Sequence, residues 1–392
     1  MAHVAAHHDA AASRVHALDR SPRGILEAMD WAALKEELRS EALRLGFAAA
    51  GVTSMRPFTE ARRRGLAAIG EGRMDGMGWY TAERVKASTD FRARYPWARS
   101  IVALAWPYRP ARAPGAAPGH RAEPQPGRPR GRFSAYACLD SGGRPADYHT
   151  VLAGRCDALA DWLSARVPDV RAKRFVDHGW AMDRAIAERA GIGFAGKHAS
   201  LITREAGSYV LLAEMLLSVQ LPADAPSRRG CGQCRACLPA CPTGAIVAPG
   251  VIDARRCIAY LTIEHRGPIP KPLRPLMGTW AFGCDLCQEA CPINERLAPA
   301  PLAAGDASTA RGPVPFPDLI ECLSLSEDEF AERFRGTAVW RAGRAGLARN
   351  CAVALGNSGD RGALTALRRA SASDPDAAVR EAAGWAIARL AA

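Results

Sequence analysis

Twelve cysteines stand in this 392-residue chain, and eight of them fall in one stretch at spacings that can do chemistry. Cys231, Cys234, Cys237 and Cys241, followed by Pro242, form a C-x2-C-x2-C-x3-C-P run. This is the run of bacterial ferredoxins, where three close thiolates hold one 4Fe–4S cube and the fourth reaches the other. Downstream, Cys284, Cys287, Cys291 and Pro292 repeat the run without its first cysteine. A second cube would then have only three thiolates, and Cys257, isolated between the two runs, supplies the missing one. The spacing predicts Cys231, Cys234, Cys237 and Cys291 on one cluster and Cys241, Cys257, Cys284 and Cys287 on the other. Zinc also takes C-x2-C pairs, but it gives no reason for closely spaced runs that end in Cys-Pro twice. The remaining Cys138, Cys156, Cys322 and Cys351 read as ordinary reduced thiols.

Two clusters move electrons one at a time, and a ferredoxin would need only the cysteine segment. Long stretches precede and follow it here, which points to an electron acceptor held by the same chain. Gly191 to Gly196 has G-x-G-x-x-G spacing but follows a predicted helix rather than a strand, so it is a weak nucleotide signal. A D-x-H-x-x-G signature, which brings a histidine to cobalamin in some enzymes, is absent.

Several elements must position this chemistry. Apolar spacing predicts helices from Trp31 to Phe47, Asp147 to Val167 and Ala181 to Ala190, the last stopping at Gly191. Strands are predicted at Ala48–Ser54, Ser100–Trp106, Arg174–Val176, Ala199–Thr203 and Tyr209–Leu217, with Glu214 interrupting the last apolar run. This alternation argues for an α/β or α+β domain over residues 31–228. Residues 1–30 read as a flexible tail and Pro107 to Arg132 as a long loop. A ferredoxin-like two-cluster domain spans residues 229–300, and a linker and helical domain spans 301–392. In that last part Arg349, Ala352 and Leu355 recur as Arg380, Ala383 and Ala386, a pattern of HEAT-like stacked helical pairs.

Lys and Arg number 52 against 40 Asp and Glu, a net charge of +12. Such a chain suits a polyanionic partner such as RNA. Arg341, Arg344, Arg349, Arg368, Arg369 and Arg380 could make the helical tail the basic face, with Arg62 to Arg64 adding to it. The 48% hydrophobic content excludes a wholly disordered chain. Without a secretory h-region or a membrane-spanning run, a cytoplasmic location is expected; its reducing conditions suit thiolate-held clusters.

Asp147-Tyr148-His149, Phe175-Val-Asp177, Arg184, Glu188 to Gly193, Gly196-Lys197, Leu201 to Leu216 and Ile252 to Gly267 add a family likeness. With both cysteine runs, they resemble the epoxyqueuosine reductases. That resemblance implies a cobalamin-dependent oxidoreductase with two 4Fe–4S clusters, cobalamin being held without a protein histidine on its lower face. It would reduce the epoxide of epoxyqueuosine at the tRNA wobble position to queuosine. An external low-potential electron donor and a monomer with no membrane contact are expected with it.

The resemblance also assigns roles. Asp177 matches the family's proton donor, whereas the residues alone would allow a helix cap or a solvated carboxylate. Leu201, Ala259, Asp285 and Leu286 align with positions near the corrin or its nucleotide tail. His265 and Arg266 are candidates for a nucleotide or tRNA phosphate, since arginine offers phosphate a planar fork. The sequence departs from the family at Ser88, where an arginine is usual, and in a longer loop from Cys138 to Pro145. Two other readings remain open here: a reductive-dehalogenase-like corrinoid enzyme, or an electron-transfer protein that would carry no corrin.

Overall fold

The apolar runs assemble around a four-stranded sheet, in a computed structural model that describes residues 26, 29–108, 128–139, 144–297 and 312–392. Its strands are β1 (Ala49–Ser54), β2 (Ser100–Pro107), β4 (Ala172–Phe175) and β7 (Val210–Leu217); β3 (Arg132–Phe133), β5 (Phe194–Ala195) and β6 (Leu201–Ile202) lie elsewhere. The order is β1-β2-β7-β4, and every neighbouring pair is antiparallel. Of the two classes the sequence allowed, the sheet is therefore the α+β kind. Alternation of helices and strands along the chain does not fix strand direction.

The helices of this part are α1 (Trp31–Arg44), α2 (Thr59–Gly70), α3 (Ala82–Ser88), α4 (Tyr148–Ser164) and α5 (Asp183–Arg189). Side chains alternate across a strand, so β2 and β7 present two apolar faces. Val102, Leu104, Ala213 and Met215 pack with Leu38 of α1 and Leu152, Leu159 and Leu163 of α4. Ile101, Ala103 and Leu216 pack on the other side with Ile186 and Ala187 of α5. Asp30 caps α1 by accepting from the Ala32 and Ala33 amides, and Asp147 caps α4 by accepting from the His149 amide. Gly51 lets the end of α5 close on the sheet, since a Cβ there would lie 2.2 Å from the Ala190 carbonyl oxygen.

The cysteine segment is mostly loop, punctuated by α6 (Cys237–Ala240), β8 (Ile246–Ala248), β9 (Val251–Ile252), α7 (Ile258–Ile263), β10 (Trp280–Phe282), α8 (Leu286–Glu289) and α9 (Pro292–Glu295). The C-terminal helices are α10 (Leu319–Ser324), α11 (Glu327–Phe334), α12 (Gly343–Ser358), α13 (Leu364–Ser373) and α14 (Ala377–Ala391). Helix α12 is buried nearly all round and lies at the centre of this group. The recurring small residues Ala352, Ala383 and Ala386 are buried here. A Cβ on Gly356 would meet the Trp385 ring at 2.8 Å, so the glycine permits close approach of α12 and α14.

One hydrophobic core joins Ile258, Leu261, Trp280 and Phe282 of the cysteine segment to Leu319, Phe334, Leu347 and Leu355 of the tail. The division expected at residue 300 thus separates elements that share a core. Most of the 1–30 tail, of Pro107–Arg132 and of the linker, and half of Cys138–Pro145, lie outside the described residues. Among the described residues no helix is long and apolar enough to cross a membrane.

Candidate active site

All twelve cysteines are free thiols. The chain folds back so that the two runs meet. Cys237 lies within electrostatic reach of Cys231, Cys291 and Cys234, and Cys291 within reach of Cys231 and Cys234. Cys287 faces Cys257 and Cys241, while Cys284 faces Cys287 and Cys257. The two groups approach each other where Cys287 feels Cys237. Burial pushes the thiols of Cys237, Cys257, Cys284, Cys287 and Cys291 up, and neighbouring thiols add to it. Metal ions among them reverse that cost, because a coordinating thiol is deprotonated outright. The donor set therefore fits iron–sulfur clusters. Among the described residues no three His, Cys, Asp or Glu side chains converge as a single metal ion requires, whereas a cube spreads its ligands over separate corners.

The surroundings also favour sulfur that carries charge. The Lys197 amide donates to Cys231 Sγ at 3.4 Å, and Lys197 Nζ donates to the carbonyls of Gly232 and Cys234 at 2.7 and 2.8 Å. The Ala245 amide donates to Cys241 Sγ at 3.3 Å. Asn294 fastens this segment to the sheet domain, accepting from the Ser208 amide and donating to Ser208 Oγ, both at 2.9 Å.

Asp177 follows β4 in a turn with two left-handed residues, Asp177 at φ +49° and Gly179 at φ +81°. Aspartate tolerates this region better than most residues, and outliers of this kind gather at functional sites. Tyr148 Oη donates to Asp177 Oδ2. Burial and the Asp177 carboxylate push the Tyr148 phenol up, so the phenol keeps its proton. His149 and His178 stack at 5.6 Å beside this pair. Arg84 Nη2 donates to the Gly179 carbonyl at 2.6 Å, and Arg94 lies 4.3 Å over the Trp180 ring.

Arg341, between α11 and α12, reaches the same place from the tail. Its Nη2 donates to Asp147 Oδ2 at 2.8 Å and meets His149 Nδ1 at 2.5 Å, and its guanidinium lies 5.1 Å from the Tyr148 ring centroid. Burial opposes the charge of Asp147, yet bonds from His149 and the Arg341 guanidinium hold its carboxyl below the usual range. A wall of aromatic rings leads from here to the cysteines. Tyr148 and Tyr136 stand 5.8 Å apart, Tyr136 and Tyr108 6.3 Å, and Tyr108 and Tyr209 5.5 Å. Tyr136 feels the charges of both Asp177 and Asp285, while Tyr108 and Tyr209 feel Cys287.

The other candidate residues are placed differently. Leu201 is buried in the core beneath the sheet, and Ala259 sits half-buried in α7. Asp285 is buried, with Ser134 Oγ and the Ala135 amide donating to its carboxylate. Burial pushes its carboxyl up to about 6 despite those bonds. Leu286 packs at the edge of the core shared with the tail. His265 meets the Pro268 carbonyl at 3.0 Å, and Arg266 donates to the carbonyls of Ile263 and Arg341, each at 2.9 Å. The Arg266 fork is thus directed at main chain. The basic face expected on the tail is also much reduced. Arg344 pairs with Asp374 and Glu327, Arg380 donates to the Asp374 and Pro375 carbonyls, and Arg349 is buried against those of Leu261, His265 and Gly267. These arginines satisfy acceptors within the protein, leaving Arg368 and Arg369 as the exposed pair.

A model of the 4Fe-4S double cluster binding domain matches residues 230–294, and one described as "Epoxyqueuosine reductase QueG, DUF1730" matches residues 89–178. The epoxyqueuosine reductase of Escherichia coli (strain K12) is 36% identical over 367 residues, covering 93% of this chain and 91% of its own length. That of Bacillus subtilis (strain 168) is 37% identical, covering 91% of this chain and 88% of its own length. The chain belongs to the epoxyqueuosine reductase family.

Solved structures of the family agree in fold. A crystal structure of epoxyqueuosine reductase with an epoxyqueuosine-modified tRNA-Tyr stem loop has a TM-score of 0.80 and 34% identity, covering 92% of this chain and 91% of that one. A Bacillus subtilis structure whose catalytic Asp loop is swung out of the active site has a TM-score of 0.81 and 34% identity, with the same coverage.

The residues that sequence reasoning misses are the ones that hold Asp177. Nothing in the sequence alone marks Tyr148 as the partner of Asp177, and Arg341 reads there as part of an RNA surface. One signal is present: Glu214, a charge in the middle of an eight-residue apolar strand, needs a reason to be there.

Proposed function

We propose that this protein reduces the epoxide of epoxyqueuosine in a tRNA anticodon to give queuosine, with Asp177 as the proton donor. Membership of the family carries the reaction, and the Tyr148–Asp177 hydrogen bond carries the assignment of the acid. Opening an epoxide builds negative charge on its oxygen, so an acid within hydrogen-bond reach lowers the barrier. Tyr148 grips one carboxylate oxygen and leaves the other to present the proton. Arg341 and Asp147 fix the start of α4 and with it the Tyr148 ring.

Cys231, Cys234, Cys237 and Cys291 hold one 4Fe–4S cluster, and Cys241, Cys257, Cys284 and Cys287 hold the second. The approach of Cys237 to Cys287 supports passage of electrons from the first to the second. Cobalamin, when bound, supplies a low-valent cobalt able to act on the epoxide. The tyrosine wall that runs from Asp177 to Cys287 supports a seat for it within reach of both acid and cluster. Ala259, Asp285, Leu286 and Leu201 are the residues that the family likeness assigns to its corrin or nucleotide tail. Arg368 and Arg369 offer the RNA an exposed basic pair, whereas the Arg266 fork and His265 are occupied by main-chain carbonyls. The 31–228, 229–300 and 301–392 segments serve as acid-and-corrin, electron-transfer and HEAT-like RNA-docking units.

The test is anaerobic reconstitution with iron, sulfide and cobalamin, followed by spectra before and after a low-potential reductant. Cobalt reduction followed by turnover of an epoxyqueuosine-containing stem-loop is expected. Failure to reduce cobalt in a protein with full iron content would overturn the reading.

A further inference from the structure

Glu214 sits in the middle of the central strand β7 and is 1% exposed. It shares a face with Leu212 and Leu216, turned toward α5, where Asp183 begins the helix. Neither Glu214 oxygen finds a donor, and neither does the buried Oδ1 of Asp183. The two carboxyl groups instead face each other, and Asp177 weighs on both. Few other charged or titratable groups are near. Cys156 of α4, across the sheet, feels the Glu214 charge and has its thiol pushed up by burial, Arg174 is paired outward with Asp157, and the Arg184 charge pulls Asp183 down. Among the described residues no cation pairs with Glu214 itself. Two carboxylates cannot both stay charged in such a place, so they share a proton. Burial and the charge of Asp177 push Asp183 up to about 6 against the opposing pull of Glu214, and burial and the facing Asp183 push Glu214 well above its usual range.

Given the reduction proposed above, the stoichiometry asks for such a proton. Removing the epoxide oxygen takes two electrons and two protons and yields one alkene and one water. The clusters deliver the electrons, but Asp177 can give only one proton before it must be recharged. We propose that the Asp183–Glu214 pair stores one proton in the resting enzyme and passes it to Asp177, supplying the second proton of the reduction. Asp177 first protonates the oxygen as one C–O bond breaks, leaving a hydroxyl. The stored proton then moves through Asp183 to Asp177. Asp177 donates again as the second C–O bond breaks and the hydroxyl leaves as water. Asp183, the partly exposed member, reloads the pair from solvent.

The test uses the full chain with both clusters and cobalamin. Infrared difference spectra at neutral pH in light and heavy water are expected to show the C=O stretch of a neutral carboxylic acid. Glu214→Gln should remove it, and Asp183→Asn should shift its frequency. Glu214→Gln, which keeps the shape, should slow turnover of the modified stem-loop by roughly tenfold or more with KM unchanged. It should also enlarge the solvent isotope effect and shift the pH profile. No such band in the wild type would overturn the proposal. So would a Glu214→Gln enzyme with the wild-type rate and pH profile. Should Glu214→Gln lose its clusters, Asp183→Asn is read in its place against the same outcomes. An active Asp177→Asn would sink the donor role of Asp177, while an inactive Asp177→Asn beside a normal Glu214→Gln would sink only the relay.

Discussion

The eight cysteines between Cys231 and Cys291 come from one stretch of chain, whereas the groups around Asp177 come from five places. Asp147 and Tyr148 begin α4, Asp177 follows β4, Asp183 begins α5, Glu214 lies on β7, and Arg341 arrives from the tail. The first arrangement is set mainly by local spacing, and a cluster's own iron draws its ligands together. The second exists only if three layers of the fold are packed correctly. Electron transfer should therefore tolerate damage elsewhere in the fold, and proton transfer should not.

The largest break in that comparison is expected from Cys257→Ser. It should halve the iron, abolish turnover and leave the first cluster's spectrum intact, as iron analysis and electron paramagnetic resonance would read. Full iron in this variant would remove Cys257 from the ligand set. Arg341→Ala comes next. Hydrogen bonds to charged groups are worth about 1.5–3 kcal/mol each, so its loss should lower kcat about tenfold through Tyr148 while cluster content stays complete. Arg341→Lys should recover part of the rate; a loss of stem-loop affinity with unchanged kcat would instead make Arg341 an RNA contact.

Arg349→Met should cost about 3 kcal/mol in thermal unfolding, because it strands the carbonyls of Leu261, His265 and Gly267 in the shared core. Folded protein should retain its clusters. The smallest effect is expected from Arg368→Ala with Arg369→Ala: weaker stem-loop binding, with a salt dependence shallower by about one in slope for each phosphate the pair neutralises. A pH effect sharpens the same contrast. The Asp183 carboxyl sits at about 6, above the usual 3.8, so the folded state holds a proton that the unfolded chain has released between those values. That stabilisation is fully present below the ordinary value and is lost as pH rises through about 6. Melting curves across that interval should show it, and Asp183→Asn should remove it.

The cysteines were legible because ligand spacing is a local code. The strands were legible as apolar runs, and the helix that begins at Asp147 by its periodicity. Sheet direction was not, since antiparallel pairing depends on how loops return the chain. The tail arginines misled because a sequence does not reveal which guanidinium meets a carbonyl. Arg349 and Arg344 look like surface charge and are structural donors. Asp177 was visible only through the family likeness, because its partner Tyr148 becomes a neighbour in the folded chain alone.

Single-turnover reduction of an epoxyqueuosine-containing stem-loop by reconstituted wild type and Asp177→Asn tests the central claim most directly. The variant is expected to keep its iron, its cobalamin and its stem-loop affinity while losing roughly 100- to 10,000-fold in rate. A variant that turns over at the wild-type rate would contradict it.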